Sequence, residues 1–323
     1  MSRFTVPLFV RGELITDDLV EFGTRLDHRF EAPDPAKHVH ALPLRSPMDL
    51  ADLYAVSFDE ILDVLAELGQ ALAFEKNSYI QEAFEACLVT NPMSESILRT
   101  GYVALPAMFT RESMRELAET QVGIDYLEGW VPRRLLDGRE IRVRAFGART
   151  LHIPVGNGGL VAGITFFRNA LTRSDAIIKA PSNDPLTPMA IARTLADVAS
   201  DHPITRHLAV GYWKGGDTEV EEQLYKPEHI EKIVAWGGLA SVKHVTRYIQ
   251  PGLELIALDP KRSVTIIGPE AFDSEDTLRE VVMRAACDVG AGNQEGCVNA
   301  RTSSARSPRS STARCSNTSR ARA

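Results

Sequence analysis

From about residue 150 onward the chain settles into a rhythm that sharply limits what it can fold into. Short apolar runs (TLHIPV, DAIIKA, HLAVGYW, KIVAWG) alternate with helical segments (GLVAGITFFRNALTRS, PLTPMAIARTLADVAS, EVEEQLYKPEHI). Strands alternating with helices of this length make βαβ units, and such units build an α/β fold on a parallel sheet. Ligands of these sheets sit beyond the carboxyl ends of the strands, where loops meet helix amino termini. That rule selects three places to search: Asn157 with Gly158 and Gly159, Lys179 with Ser182, and Trp236 with Gly237 and Gly238.

The preceding 150 residues read differently. At Ser57 the sequence SFDEILDVLAELGQALAF opens with Ser57 and Glu60 in capping-box spacing, and Phe58, Ile61, Leu62, Leu65, Leu68 and Leu72 form one apolar stripe. Helical patterns recur over 77–99 and 111–121. Asp137 and Gly138 then mark the turn of a hairpin, with Ile141, Val143 and Ala145 alternating beyond it. His38 and His40 form a HxH pair in a proline-broken connection with no third ligand nearby. They read as solvated loop histidines, and no metal site is expected.

Composition excludes several classes of function. A length of 323 residues suggests about two domains, and 44% hydrophobic with 24% charged residues is ordinary for a soluble globular protein. The net charge of −7 lacks the basic field that binding to nucleic acid requires. The amino terminus, with Arg11 and then acids interrupting a short apolar run, reads as neither a signal peptide nor a membrane span. Cys87, Cys287, Cys297 and Cys315 include no CxxC pair, which suggests a reduced, cytoplasmic protein without structural zinc.

One cysteine has a distinctive setting. In AACDVGAGNQEGCVNAR, Cys297 follows a predicted helix on a stretch carrying Gly290, Gly292 and Gly296, which let backbone approach a ligand closely. Its thiolate would be a strong nucleophile, the alternative being a buried, inert thiol at a helix-to-loop junction. Neither VGNGGL nor AWGGLAS has GxGxxG spacing, so the usual dinucleotide fingerprint is missing.

Taken in order, HIPVGN, IIKAPSNDPLTP, VAWGG and GNQEGCVNAR resemble the acyl-CoA reductase family. This family, within the aldehyde dehydrogenase superfamily, includes the reductase subunit of the bacterial bioluminescence fatty acid reductase complex. The resemblance spans most of residues 1–301. It implies an aldehyde dehydrogenase-like α/β fold: an amino-terminal helical region and hairpin (1–150), a nucleotide-binding α/β domain (151–250) and the start of an incomplete catalytic domain with the nucleophile (251–301). It implies that Cys297 accepts the acyl group of a fatty acyl-CoA or acyl-protein thioester and that Asn157 is an oxyanion donor. Lys179 and Ser182 would lie along the adenosine ribose of the cofactor, with Gly237 and Gly238 also in the cofactor site. Hydride transfer to the acyl-enzyme would then release a fatty aldehyde. A homo-oligomer, with acyl-transferase or synthetase subunits as partners, belongs to the same implication.

Three departures from the superfamily carry information. Ser182 stands where a glutamate is usual. A carboxylate there would repel a 2′-phosphate, whereas serine beside Lys179 tolerates it, so NADPH is expected over NADH; Ser182 as a helix or turn cap is the competing reading. The water-activating glutamate of hydrolytic aldehyde dehydrogenases is replaced by Leu258 in the best register of LELIALDPKRSVTII, while a shifted register would make Glu254 the base. Finally, residues 302–323 hold no Asp, Glu, Lys, Val, Ile, Leu or Phe. They read as a disordered Ser/Arg-rich tail, either out-of-frame translation or a natural basic extension. A non-catalytic nucleotide-binding remnant and a hydrolytic aldehyde dehydrogenase are the alternative functions.

Overall fold

The computed structural model describes residues 4–156, 159–258, 261–290, 294, 296–297 and 299–305. The chain divides into two units, residues 1–259 and 260–323. In the first, β1 (Leu8–Val10) and β2 (Glu13–Ile15) turn on Arg11 and Gly12, at φ 54° and 98°. Two positive φ values give the turn the twist of the strands it joins. A helical layer follows: α1 (Phe58–Ala71), α2 (Ser78–Thr90), α3 (Glu95–Ala104), α4 (Arg111–Gln121) and the short α5 (Ile124–Glu128). Ser57 Oγ accepts the Glu60 N–H at 3.1 Å, and Phe58, Ile61, Leu62, Leu65 and Leu68 are buried as the stripe requires. The helical pattern over 77–99 is broken after Thr90, because Pro92 biases Asn91 to an extended backbone (φ −110°, ψ 138°). The hairpin pairs Val131–Arg134 with Glu140–Val143, and Gly138 takes φ 86° in its turn.

The βαβ rhythm then runs β3 (Arg149–Ile153), α6 (Gly159–Leu171), β4 (Asp175–Lys179), α7 (Thr187–Ala199), β5 (Leu208–Gly211), α8 (Thr218–Leu224), β6 (Lys232–Trp236), α9 (Leu239–Val245) and β7 (Glu254–Leu258). These strands form a seven-stranded sheet in the order β7-β6-β3-β4-β5-β1-β2. All pairs from β7 to β5 are parallel, and β1 adds antiparallel to β5. The amino-terminal region is thus more than helices and a hairpin, since it supplies two strands to this sheet. Glu254–Leu258 of LELIALD likewise lie in the sheet as β7, within the first unit. Alternation splits the core: Ala176, Ile178, Leu208 and Val210 pack with α1, α6 and α7, while Leu151, Ile177, Ala209 and Ile233 pack with α8 and α9 on the other face.

The second unit is a single βαβ crossover, β8 (Ser263–Ile267), α10 (Glu275–Gly290) and β9 (Ala300–Ala305), with β8 and β9 parallel. Residues 302–305 continue this strand, four residues beyond the point at which the sequence suggests order ends. Small residues suffice because backbone pairing, not a side-chain core, holds β9 to β8. Residues 306–323, with Cys315, lie outside the described residues, as do Asn157, Gly158 and Gly292. Among the described residues, no helix is long and apolar enough to cross a membrane.

One buried histidine ties β3 to α6. His152 Nε2 is 3.1 Å from Asn169 Oδ1, whose amide nitrogen donates to the Ser174 carbonyl, so Nε2 carries the proton. Nδ1 is then a bare nitrogen, buried without a partner among the described residues. Burial lowers the pKa to about 4, the Asn169 hydrogen bond opposing it. Because this folded value is below the ordinary one, the unfolded chain protonates first as pH falls. Stability is therefore complete above about pH 6.5, declines between pH 6.5 and 4 by up to about 3 kcal/mol, and levels below that. Urea titrations across this range should show the decline flattened in His152→Gln; an unchanged slope would remove His152 as its source.

Candidate functional site: a strand-end crevice and a cysteine turn

Strand order reverses between β3, the middle strand of the parallel set, and its neighbour β6. Such a switch point leaves a crevice at the carboxyl ends. Pro154, Val155 and Gly156 leave β3 there, and Gly237 and Gly238 leave β6. A methyl group placed on Gly237 would lie 3.8 Å from Val155 Cγ1, so these strand ends are neighbours. Gly237 has φ 152°, a conformation that disfavours any side chain. Gly238 has an ordinary backbone and open space where a Cβ would be, so it is not required by conformation.

Lys179 ends β4 and is 9% exposed. Its Nζ lies 5.7 Å from the ring centroids of both Tyr212 and Trp213, which follow β5. No carboxylate pairs with it among the described residues. Burial lowers its pKa to about 8, against the field of Glu221. Cation–π attraction offsets part of the lost hydration, but the ammonium keeps hydrogen bonds to give. Ser182, half-buried, lies three residues on and caps no helix: α7 begins at Thr187, whose N–H is accepted by Asp184 Oδ1 at 3.3 Å. Ser182 lies in the turn closed by the Asp184 N–H on the Pro181 carbonyl, so of the cap readings the helix cap is not seen.

A network absent from the sequence reading fixes the two strand ends to each other. The Gly156 carbonyl accepts Asn91 Nδ2 at 2.6 Å and Asn183 Nδ2 at 2.8 Å, and the Asn183 carbonyl accepts Asn91 Nδ2 and Thr90 Oγ1. Next to it, Asp184 is 2% exposed and accepts from Cys87 Sγ at 3.1 Å and from Thr187 Oγ1, while Tyr102 donates to Cys87 Sγ. Burial pushes the Cys87 thiol well up, and Asp184 pushes it further. Cys87 is thus a protonated donor, not a nucleophile. Across the sheet, Glu221 is 2% exposed and accepts from Gly216 N–H, His244 Nε2 and Tyr248 OH at 3.0, 2.6 and 2.9 Å. It binds the loop after β5 to the segment after β6. The only sequence cues were the Asn91-Pro92 break and the polar pair directly after Ser182.

Cys297 belongs to the second unit. The Gly296 N–H donates to Asn299 Oδ1 at 3.0 Å and the Asn299 N–H to the Gly296 carbonyl at 3.2 Å. Asn299 is 1% exposed, so a buried side chain closes the turn that carries the exposed Cys297. The Cys297 carbonyl accepts Ser263 Oγ of β8 at 2.7 Å. Cys287 is exposed on α10, within a regular helix. Glu254 pairs with Lys232 at the amino ends of β7 and β6, and that lysine holds its carboxyl below the usual range. It is at the wrong end of the strand to act at the crevice. Leu258 occupies the carboxyl end, opposite Trp236.

The profile of the acyl-CoA reductase (LuxC) family matches residues 53–306. The chain belongs to that family. A long-chain acyl-protein thioester reductase from Vibrio harveyi is 26% identical over 299 residues, covering 90% of this chain and 59% of its own. Another from Photorhabdus laumondii subsp. laumondii is 30% identical over 248 residues, covering 75% and 48%. The chain thus spans about half to three-fifths of the length of these relatives. In fold it is similar to a salicylaldehyde dehydrogenase from Pseudomonas putida G7 (TM-score 0.72, 14% identity, 94% of this chain and 60% of that one). It is also similar to an aldehyde dehydrogenase from Bacillus cereus solved with NAD+ (TM-score 0.70, 12% identity, 94% and 59%). The fold of this acyl-CoA reductase family member is therefore aldehyde dehydrogenase-like.

The clamp on Gly156 generates a prediction. A Cβ at Gly156 would meet Asn183 Oδ1 at 2.2 Å, inside any tolerable contact. Gly156→Ala should lower stability by about 1–3 kcal/mol, as overpacking does. In Asn183→Ala, which removes the clashing amide, the same change should cost far less. Strictly additive urea midpoints in the double-mutant cycle would show that the clash is relieved elsewhere.

Proposed function

We propose that this chain carries the cofactor layer and nucleophile of an NADPH-dependent reductase that converts long-chain fatty acyl thioesters to fatty aldehydes through an acyl group held on Cys297. The observation that carries the cofactor reading is Lys179: a buried ammonium without a carboxylate partner among the described residues, three residues from the half-buried Ser182, at the carboxyl end of a central parallel strand. These residues fit a phosphate-bearing nicotinamide nucleotide, because the cation can pair with a 2′-phosphate and no acid at position 182 repels it. When bound, that nucleotide supplies the hydride. Gly237, lacking a side chain, leaves room for close approach at the switch point.

The remaining chemistry belongs to the chain. Cys297, exposed on a closed turn, attacks the thioester carbonyl; the new carbon–sulfur bond forms as the donor thiolate leaves. Negative charge on the carbonyl oxygen is met by the Asn157 amide, a kind of donor whose loss costs ~10²–10³ in rate. Long-chain acyl-protein thioester, the substrate class in the names of the Vibrio and Photorhabdus relatives, and acyl-CoA are the proposed donors. The family resemblance extends the proposal to a cytoplasmic homo-oligomer working with acyl-transferase or synthetase subunits. Leu258 at the carboxyl end of β7, with Glu254 paired to Lys232 at the other end, favours reduction over the hydrolytic alternative.

Two experiments test this reading. Cofactor binding followed by fluorescence should show NADPH preferred, and Ser182→Glu should weaken NADPH about tenfold or more while leaving NADH nearly unchanged. The preference should also fade as pH rises through about 8, where Lys179 loses its proton, and persist to higher pH in Lys179→Arg. Equal effects of Ser182→Glu on both cofactors would remove the ribose assignment. Separately, radiolabelled acyl-CoA should leave label on Cys297 that Cys297→Ala abolishes and Cys287→Ala retains; label mapped to Cys287 would end the nucleophile assignment.

A further inference from the structure

At the end of α6 remote from the crevice, helices α4, α5 and α6 line a cavity of about 150 Å³ that opens to solvent. Ala118, Leu127 and Leu171 are its buried floor, Leu117 is half-buried beside them, and Val122 and Arg168 lie on the exposed rim. The cavity and Gly159 are separated by most of a 13-residue helix, roughly 18 Å long, so this is a different place from the strand-end crevice.

Its polar lining is Gln121, Thr172 and Arg168, of which only the arginine is charged. No acidic residue lines it, and among the described residues the hydrogen bonds to Arg168 come from Thr172 to its backbone carbonyl, leaving the exposed guanidinium without an ion pair. A basic residue in the last turn of a helix is accounted for by the helix dipole, but an apolar cavity beneath it is not. An apolar cavity of about 150 Å³ accommodates a hydrocarbon of around six carbons. A guanidinium at its mouth selects a planar anion, above all a carboxylate, which it can bind with two parallel hydrogen bonds.

We propose that this cavity is a binding site for the free carboxylate form of a fatty acid, with the first six or so methylenes on the Ala118–Leu127–Leu171 floor and the carboxylate on Arg168. It stands apart from the cysteine chemistry, since a free carboxylate is neither an activated thioester nor an aldehyde. Its success or failure is therefore independent of the reading given above.

Calorimetric titration of the 323-residue chain with butyrate, hexanoate, octanoate and decanoate tests it. Affinity should rise about fourfold per methylene, the step expected for full burial of each, and level off once the cavity is filled near six to eight carbons. Arg168→Gln, an exposed and unpaired position, should weaken octanoate about fivefold or more and leave octanol within about twofold. Ala118→Leu, which fills the floor, should abolish binding without loss of thermal stability; if that variant fails to fold, Val122→Trp closes the rim instead. Octanoate insensitive to Arg168→Gln, or octanol bound as tightly as octanoate, would overturn the proposal. So would sedimentation of the free chain as a dimer that Val122→Lys dissociates, because the face would then belong to a second copy.

Discussion

The first unit depends on one constraint: five parallel strands must deliver their carboxyl ends to a single edge while the chain reverses direction across the sheet. From β3 the chain proceeds outward through β4 and β5 with α6 and α7 on one face, then returns to β6 and β7 with α8 and α9 on the other. The connections leaving β3 and β6 therefore depart to opposite faces, and neither fills the space between their strand ends. Glycine at 156 and 237 keeps that space clear, in one case because an amide already occupies the position of the Cβ.

Keeping a crevice open inside a packed fold leaves polar backbone without a ladder partner, and buried groups of this kind are costly unless bonded. Two side-chain amides, Asn91 and Asn183, meet the Gly156 carbonyl, and Asp184 meets the first turn of α7. Burial raises the Asp184 pKa, while donors from Thr187, Cys87 and Tyr102 oppose the shift, so the carboxylate is tolerable only because the cysteine stays a thiol. Cys87 and Cys297 are the same residue type with opposite fates. One is a buried donor in a closed network, and the other is exposed on a turn whose bonds are made by Asn299.

How much of this was legible follows from the range of each interaction. The α1 stripe, the Asp137-Gly138 turn and the strand–helix alternation are local patterns, and each appears where periodicity or turn chemistry put it. The strand ends at Lys179 and Gly237 followed from the same alternation. What the sequence hid is non-local: β1 and β2 join the sheet beside β5 across about 200 residues, and Asn91, at the end of α2, reaches Gly156 and Asn183 across 65 and 92 residues. No spacing rule connects such positions. Extension of β9 through residues 302–305 was hidden for the opposite reason, since its side chains carry no apolar signal and the pairing is made by backbone.

The placement of β7 decides which end of the sheet its carboxylate serves. In the parallel pair with β6, Glu254 is opposite Lys232 and Leu258 opposite Trp236. A five-residue strand puts those two ends roughly 13 Å apart, so a carboxylate at its amino end cannot serve the carboxyl edge. Its pairing with Lys232 also keeps Glu254 ionised and engaged, which makes it a poor base even for a water that reached it. The carboxyl end of β7 is apolar. The other end of β7, where Leu258 lies opposite Trp236, carries no carboxylate within the strand, so no acid of β7 reaches the carboxyl edge of the sheet.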